Sequence, residues 1–252
     1  MKPQWLGMGI PGKHDADLRG RLIVIEGADC AGRSTQVRLL QDWLENLGYG
    51  VVTTALCRSD LTEPGIQKAK RRTAAAPRTL ALFYAADLAD RLERQIIPAL
   101  EGGFVVLADR YVYTLLARYA VRGLDRDWLR RAFGFVLRPH LGLYLDVKRD
   151  VLVTRALRAG RMDYWEAGMD MGIAPDLYTS FRKYQLRMLR EFKHICREFD
   201  LEPVPANGGM NAVQERLRAR LQTLLATLQP GAREPSAAPT PDTAPPEEAP
   251  HG

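Results

Sequence analysis

The sequence lacks long hydrophobic runs and has few cysteines. Its longest apolar stretches, such as residues 104–108, fall far short of the roughly 20 residues that a membrane-spanning helix needs. No apolar run follows Lys2, which argues against a signal peptide. Cys30, Cys57 and Cys196 are scattered, so neither a disulfide scaffold nor a zinc site is expected. We therefore expect a protein without a membrane anchor, located in the reducing cytoplasm.

Charge is distributed unevenly along the 252 residues. The chain is 46% hydrophobic and 26% charged with a net charge of +6, a composition that supports a buried core. Residues 229–252 contain seven of the 16 prolines, and Arg233 is their only basic residue against four acidic ones. That tail carries −3, so residues 1–228 carry +9. We expect a disordered tail and, for the basic remainder, an anionic partner that is either a phosphorylated small molecule or a nucleic acid.

Short β-branched runs alternate with segments of helical periodicity. The runs predict four buried strands, at residues 21–26, 50–55, 104–108 and 141–147. Helical spacing predicts five helices, at residues 34–47, 79–100, 125–137, 175–199 and 211–228. For the last two, Pro175 is expected in the first turn, and Asn211 with Gln214 resembles a capping box. This alternation predicts an α/β fold, a parallel sheet covered by helices on both faces, over residues 21–228 after a loose N-terminal arm at residues 1–20.

A glycine-rich loop joins the first predicted strand to the first helix. It has the pattern G-x-x-x-x-G-[K/R]-S, and its residues are Gly27, Ala28, Asp29, Cys30, Ala31, Gly32, Arg33, Ser34 and Thr35. Backbone N–H groups of such a loop cradle the phosphates of ATP, and Ser34 is suited to bind Mg²⁺. This context predicts a P-loop NTPase-type three-layer α/β/α fold. Arg33 occupies the usual lysine position, so the charge is kept while the geometry changes. The alternative is a glycine-rich turn that binds no nucleotide.

A second stretch, at residues 7–14, also matches the first part of the phosphate-loop pattern. It includes Lys13 at the lysine position, but His14 stands where Ser or Thr is needed. Pro11 lies inside it and no strand precedes it. We therefore interpret Lys13 as a solvated residue of the arm.

Five segments in order resemble the thymidylate kinase family of P-loop nucleoside monophosphate kinases. They are residues 25–36, 62–65, 83–87, 97–111 (with Ile-Pro-Ala-Leu and Asp-Arg-Tyr) and 158–163. The resemblance covers about residues 20–228. It implies ATP-dependent, Mg²⁺-assisted phosphorylation of a pyrimidine deoxynucleoside monophosphate, with thymidylate as the best single candidate. It also implies a homodimer and an arginine-rich lid near residues 155–172.

The resemblance also implies roles for individual residues. At the donor, Arg33 and Ser34 hold phosphates and Asp109 binds Mg²⁺, although Asp109 would otherwise cap the following helix. Because this loop contains no extra arginine, the lid supplies the catalytic arginine, from Arg155, Arg158 or Arg161. The acceptor side is assigned to Asp29, Glu63, Tyr84, Arg110 and Tyr111. Within that set Arg110 holds the acceptor phosphate, Asp29 approaches the sugar, and Tyr84 either stacks on the base or is a core residue.

The departures from the family pattern cluster on base recognition. Leu88 stands where the family usually has an arginine that hydrogen-bonds thymine, and Tyr164 stands where the lid usually has one. Arg118 and Tyr119 replace a tyrosine and a glutamine. A pocket without a hydrogen-bond donor discriminates weakly between bases, so a relaxed or shifted acceptor preference is expected.

Three alternatives to a thymidylate kinase stay open. One is a kinase of another or modified nucleoside monophosphate, and another is a non-catalytic nucleotide-binding regulator. Direct nucleic-acid binding ranks last, because the basic residues lie mainly in the phosphate-binding and lid segments.

Overall fold

The computed structural model describes residues 5–13, 18–71, 76–160, 162–226 and 228, and it contains one parallel sheet. Its strands are β1 (Arg21–Gly27), β2 (Val51–Ala55), β3 (Val105–Asp109), β4 (Leu141–Asp146) and β5 (Glu202–Pro205). Neighbouring strands pair in parallel in the order β2-β3-β1-β4-β5. The apolar residues of β1 are fully buried, as expected of a central strand covered on both faces. The parallel sheet predicted from the sequence is confirmed.

Helices cover both faces of this sheet. They are α1 (Arg33–Asn46), α2 (Glu63–Arg71), α3 (Pro77–Arg91), α4 (Ile97–Glu101), α5 (Val112–Val121), α6 (Arg126–Ala132), α7 (Arg149–Arg158), α8 (Leu177–Phe199) and α9 (Met210–Leu225). One apolar cluster packs α3, α5 and α8 on one face, and a second packs α1 and α9 on the other. The three-layer α/β/α architecture is therefore confirmed.

Several predicted helix ends differ from the observed ones. The helix predicted at residues 79–100 consists of α3, a π-helical turn (Leu92–Ile96) and α4, since Pro98 has no amide hydrogen for regular helical bonding. Asp125 does cap α6, but that helix ends at Ala132. Helix α8 is capped by the Asp176 carboxylate, so Pro175 precedes the cap. No side chain caps α9, which follows Gly209, so the predicted capping box is wrong.

The strand missed by the sequence analysis is β5. Pro203 and Pro205 lie in it, and its four residues are too short a run to be recognised. Proline is tolerated there because β5 lies at the edge of the sheet, where its missing N–H faces no partner strand.

The described part of the N-terminal arm is attached to the core. The Gly7 amide donates to the Gly134 carbonyl over 2.8 Å, and Trp5 forms an antiparallel bridge with Leu137. This pairing uses residues at the end of the helix predicted at residues 125–137, beyond the point where α6 ends. Lys13 is ion-paired to Glu101 over 2.7 Å. Residues 5–13 are therefore not loose, whereas the predicted disordered tail, at residues 229–252, lies outside the described residues.

Parallel pairing brings the carboxyl ends of the central strands together. In the sheet register, Ile25 of β1 lies beside Asp109 of β3, and Gly27 lies beside Leu145 of β4. Ligands of open α/β sheets bind beyond these strand ends. Among the described helices, none is both long enough and apolar enough to cross a membrane.

Candidate functional site

The glycine-rich loop lies between the end of β1 and the start of α1. Gly32 precedes the helix with φ of 96°, a left-handed conformation that suits glycine, and a side chain built there would meet nothing within 4 Å. No side chain caps the first turn of α1. The free N–H groups of this turn therefore border open space, the arrangement that binds phosphate at a helix N-terminus.

Arg33 joins the loop to the end of β3. Its Nε donates to Asp109 Oδ1 over 3.1 Å, and its Nη1 donates to the carbonyls of Gly27 and Ala28. The residue is only 7% exposed. Its guanidinium thus cross-links the loop while placing positive charge beneath the phosphate cradle.

Ser34 and Asp109 supply oxygen atoms at the mouth of the loop. The Ser34 hydroxyl donates to Asp109 Oδ2. A hydroxyl and one carboxylate are hard ligands that suit a divalent cation whose other ligands are phosphate oxygens and water. The described residues contain no cluster of three or more His, Cys, Asp or Glu that would hold a metal by themselves. The pair therefore fits a metal that arrives with a nucleotide.

A pocket of about 450 Å³ opens beside the loop. The loop residues line it together with side chains from other elements, among them Tyr84, Arg110, Arg118, Arg155 and Glu166. A larger cleft of about 750 Å³, at the β2 edge, meets it at Ser34 and Asp109.

Asp29 is the central carboxylate of the pocket. It accepts hydrogen bonds from Arg110, from Arg118 Nη2 over 3.1 Å and from Gln185 Nε2 over 3.3 Å. Burial by itself would raise the pKa of Asp29, but the two guanidiniums outweigh burial and hold this pKa well below its usual range. Asp29 is therefore ionised at neutral pH and orients two arginines toward the pocket.

Glu26 positions the start of α5 behind these arginines. Its fully buried carboxylate accepts from the amides of Tyr111 and Thr114 over 2.9 and 3.0 Å, and also from the Thr114 hydroxyl. Burial raises its pKa. Between the strand and the helix, Arg110 has a φ of 69°, a strained conformation for a residue other than glycine. Glu26 thus holds the turn that directs Arg110 at Asp29.

The other end of the pocket is aromatic. Tyr84 is 3% exposed and borders the cavity, with its ring centroid 6.3 Å from that of Tyr119. Lys70 Nζ lies 5.5 Å from the Tyr84 ring centroid. One turn further along α3, Leu88 is fully buried in the apolar core. Tyr84 thus borders the cavity, whereas Leu88 packs inside the protein.

Of the three lid arginines, the structure brings Arg155 to the site. Its Nη1 donates to the Ala31 carbonyl of the loop over 3.1 Å, and its Nη2 to the Ala206 carbonyl over 3.0 Å. Arg158 is exposed and is not among the described residues that line the pocket. Arg161 lies outside the described residues.

Residues 162–172, the described part of the lid beyond α7, are held over the pocket by Arg122. Its guanidinium binds Asp170 over 2.8 Å, the Trp165 carbonyl over 3.1 Å and the Tyr184 hydroxyl over 2.7 Å. Trp165 in turn donates its indole N–H to the Lys70 carbonyl over 2.8 Å. These contacts place Glu166 at the pocket, 3.9 Å from Arg110 Nη2.

A model of the thymidylate kinase family matches residues 25–200. The chain belongs to the thymidylate kinase family. Among its relatives, a probable thymidylate kinase 2 of Saccharolobus solfataricus is 38% identical over 72% of this chain and 85% of its own length. A probable thymidylate kinase of Pyrococcus abyssi is 34% identical over 71% of this chain and 87% of its own. A thymidylate kinase of Caldicellulosiruptor saccharolyticus is 29% identical over 82% of this chain and 98% of its own. The protein is thus a nucleoside monophosphate kinase.

Two residues predicted from the thymidylate kinase resemblance are not placed at the pocket. Tyr111 is fully buried, and its hydroxyl donates to the Leu137 carbonyl over 3.0 Å, so its side chain belongs to the core. Glu63 begins α2, where its amide donates to the Ser59 carbonyl over 2.9 Å, and it is not among the described residues lining the pocket. Both stood in segments matched by order along the chain, which does not report where a side chain points.

Sequence reasoning also missed residues that the tertiary structure brings to the site. Gln185 and Glu166 lie far from the loop in sequence and belong to no motif. Asp87 entered the sequence analysis only as the last residue of the segment 83–87. It is fully buried and accepts hydrogen bonds from the amides of Cys57, Arg58 and Ser59, each at a distance of 3.0 Å. It thereby fixes the turn after β2 that borders the pocket. The sequence signal for Asp87 was the position of a charged residue within an apolar helix face, which indicates a buried carboxylate with polar partners.

Proposed function

We propose that this kinase transfers the γ-phosphoryl group of ATP, with Mg²⁺, to a pyrimidine deoxynucleoside monophosphate, with thymidylate as the preferred acceptor. The observation that carries the proposal is one pocket that joins a phosphate loop to a pair of oriented arginines and an aromatic wall. Phosphoryl transfer depends on positioning and positive charge far more than on a base, and this pocket offers both.

On the donor side, the loop N–H groups would bind the ATP phosphates. Ser34 and Asp109 would hold Mg²⁺, which neutralises phosphate charge when it is bound. Arg33 supplies positive charge from beneath the loop, and Arg155 supplies it from the lid side. Charge at fixed positions stabilises the transferring phosphoryl group, which spreads negative charge over its oxygens.

On the acceptor side, Arg110 and Arg118 would bind the 5′-phosphate. Both are held by the ionised Asp29, so the two arginines are already oriented before the acceptor phosphate binds. Glu166 faces the same space, so the acceptor phosphate would enter between two cations and two carboxylates. The carboxylates limit how many anionic groups the pocket accepts, which favours a monophosphate over longer phosphate chains.

The base would lie against Tyr84, beside Tyr119 and Lys70. Leu88 is buried, so it supplies neither a hydrogen bond nor direct contact. A second candidate acceptor, another or modified pyrimidine nucleotide, is favoured by this difference from the family pattern. Lys70 is the cation nearest to the aromatic wall, with its Nζ 5.5 Å from the Tyr84 ring centroid, and it is the candidate to read a carbonyl of the base.

Two further properties are proposals. The family resemblance implies a homodimer, and Leu82 and Phe83 of α3 are 50% and 38% exposed, which supplies apolar surface for such an interface. A cytoplasmic location agrees with the three described cysteines, none of which is joined in a disulfide.

The decisive experiment measures ADP release from ATP and Mg²⁺ over a panel of nucleoside monophosphates. We expect turnover with thymidylate and slower turnover with related pyrimidine nucleotides. A Ser34→Ala preparation made in parallel reports any contaminating host kinase, because it lacks the metal-binding hydroxyl. Turnover with no monophosphate would reject the catalytic proposal and favour a nucleotide-binding regulator. Preference for a purine nucleotide would reject the proposed acceptor class alone.

A further inference from the structure

Helix α8 carries a strongly basic outer face. Six exposed cations lie on it, Arg182, Lys183, Arg187, Arg190, Lys193 and Arg197. At 100° per residue they occupy an arc of about 140°, and they extend over about 22 Å of helix. We call this set the α8 basic face.

The opposite side of α8 is apolar and buried. Phe181, Met188, Phe192 and Ile195 pack into the protein, so the arc of cations points directly away from the core. The basic face is therefore free of the phosphate pocket and of the packing that holds α8 in place.

Acidic residues of α8 are kept off the basic face. Glu191 binds Arg126 and Glu198 binds Arg130, both on α6, over 2.6 and 2.5 Å. Within the described part of the chain, no ion pair involves any of the six cations; the contacts seen are Lys183 with the Ile173 carbonyl and Arg182 with the Tyr178 ring. The helix thus holds a single-sign surface rather than the mixed charges usual on a solvated helix.

This arrangement opposes helix stability. Four pairs of neighbouring cations lie three or four residues apart: 183 with 187, 187 with 190, 190 with 193, and 193 with 197. Like charges at these spacings destabilise a helix. Acidic residues at alternate positions would have relieved the repulsion, so the face is better explained by an anionic partner than by solubility.

The chemistry of the face favours a phosphodiester backbone. Four of its six cations are arginines, whose planar guanidinium binds phosphate in a bidentate manner. Apart from the exposed His194 imidazole, the arc carries no ring to stack on bases, and its one large apolar side chain, Leu186, is only partly exposed and offers little surface to enter a lipid bilayer. We infer that the α8 basic face binds the backbone of a nucleic-acid duplex without reading its sequence.

The test measures binding of the full chain to a fluorescent duplex of arbitrary sequence at 50–200 mM salt. DNA and RNA duplexes form separate arms, because both present the same phosphodiester chemistry. If six phosphates are contacted, affinity falls about 10³-fold across this range, a slope near −5 in log–log form. A triple variant, Arg187→Gln, Arg190→Gln and Lys193→Gln, lowers that slope by about 2.7 and weakens binding at 50 mM salt by at least about 10-fold.

A matched control removes the same net charge elsewhere. Arg149→Gln, Arg216→Gln and Arg220→Gln change α7 and α9, and this variant is expected to bind within about 3-fold of the wild type. Thermal melting followed by circular dichroism confirms that both variants are folded. Equal losses in the two variants would show that net charge alone binds the duplex, which overturns the inference. Binding to vesicles of anionic lipid with neither duplex bound would also overturn it.

Discussion

The two ends of the nucleotide pocket are built in different ways. The proposed phosphate end is centred on residues 26–35 together with Asp109 and Arg110 at the end of the neighbouring strand, and Arg118 and Arg155 reach it from α5 and α7. The base end collects Lys70, Tyr84 and Tyr119 from three helices, with the lid folded over them. A short local motif therefore organises the phosphate end, whereas the base end exists only after the chain has folded. We therefore expect substitutions at the phosphate end to lower turnover and substitutions at the base end to change acceptor preference.

The largest effect is expected at Arg33. Arg33→Ala removes both the cross-link to Asp109 and a cation below several phosphates, so kcat/KM should fall by about 10²–10³-fold. Arg33→Lys keeps the charge and should retain activity. Steady-state ADP release at varied ATP concentration measures both variants. The exposed Arg216→Ala on α9, which lines neither the pocket nor the larger cleft, serves as the control. Unchanged ATP affinity and turnover in Arg33→Ala would place the donor site elsewhere, with Lys13 of the second loop-like stretch as the next candidate to bind phosphate.

The lid arginines should divide according to their contacts. Arg155→Ala removes the guanidinium that reaches the phosphate loop, and kcat should fall by about 100-fold. Arg158→Ala removes an exposed side chain, and kcat should change by less than about 3-fold. Single-turnover kinetics with saturating ATP separates this loss from weaker binding. An equal loss in both variants would mean that the lid rearranges during turnover to bring Arg158 to the phosphates.

At the base end, we expect weak discrimination. Apolar contacts distinguish substrates by only ~10–200-fold, whereas a buried hydrogen-bonding site reaches ~10⁴-fold or more. Thymine and cytosine differ in the hydrogen-bonding groups at N3 and C4, so the ratio of kcat/KM for thymidylate to that for deoxycytidylate should stay in the lower range. A preference of many thousandfold would refute this expectation and point to Lys70 or a lid residue as the hydrogen-bond donor. Lys70→Gln would then reduce the preference.

The structure changes what Leu88→Arg is expected to do. From the sequence alone, an arginine at this position restores a family contact and sharpens the preference for thymidylate. Because Leu88 is fully buried, the new guanidinium must displace core side chains or stay unpaired. We expect a loss of at least about 2 kcal/mol in the free energy of unfolding, seen as a Tm lower by several degrees. Leu88→Met, which conserves volume, is the control. An unchanged Tm with sharper specificity would show that the side chain reaches the base after all.

The smallest effect is expected at the tail. Deletion of residues 230–252 should leave Tm and turnover unchanged, because this proline-rich segment offers no large apolar side chain to a core. Differential scanning calorimetry with parallel ADP-release assays measures both quantities. A Tm lower by several degrees would show that the tail packs against the folded protein.

Features recognised from the sequence share a local origin. The buried run of β1, the glycines of the loop and the apolar spacing of α1 each depend on residues within a few positions of one another. Hydrophobic periodicity likewise located α3 and α8. Helix ends were predicted less well, since distant segments decide them: the arm pairs with residues 134–137 and ends α6 early. Tyr111 shows the same dependence on distant segments. Its motif predicted a contact with the substrate, but its ring is buried in the core.

The sequence by itself determined the layer architecture, the phosphate loop and the family, because periodicity and glycine placement act through the local backbone. Only the tertiary structure decided which charged groups meet. Asp29 gathers Arg110, Arg118 and Gln185 from separate elements, and Arg155 reaches the loop carbonyl of Ala31 from beyond β4. Such contacts depend on how helices pack across the sheet, where side chains distant in sequence approach to hydrogen-bonding distance, and no local pattern encodes those distances.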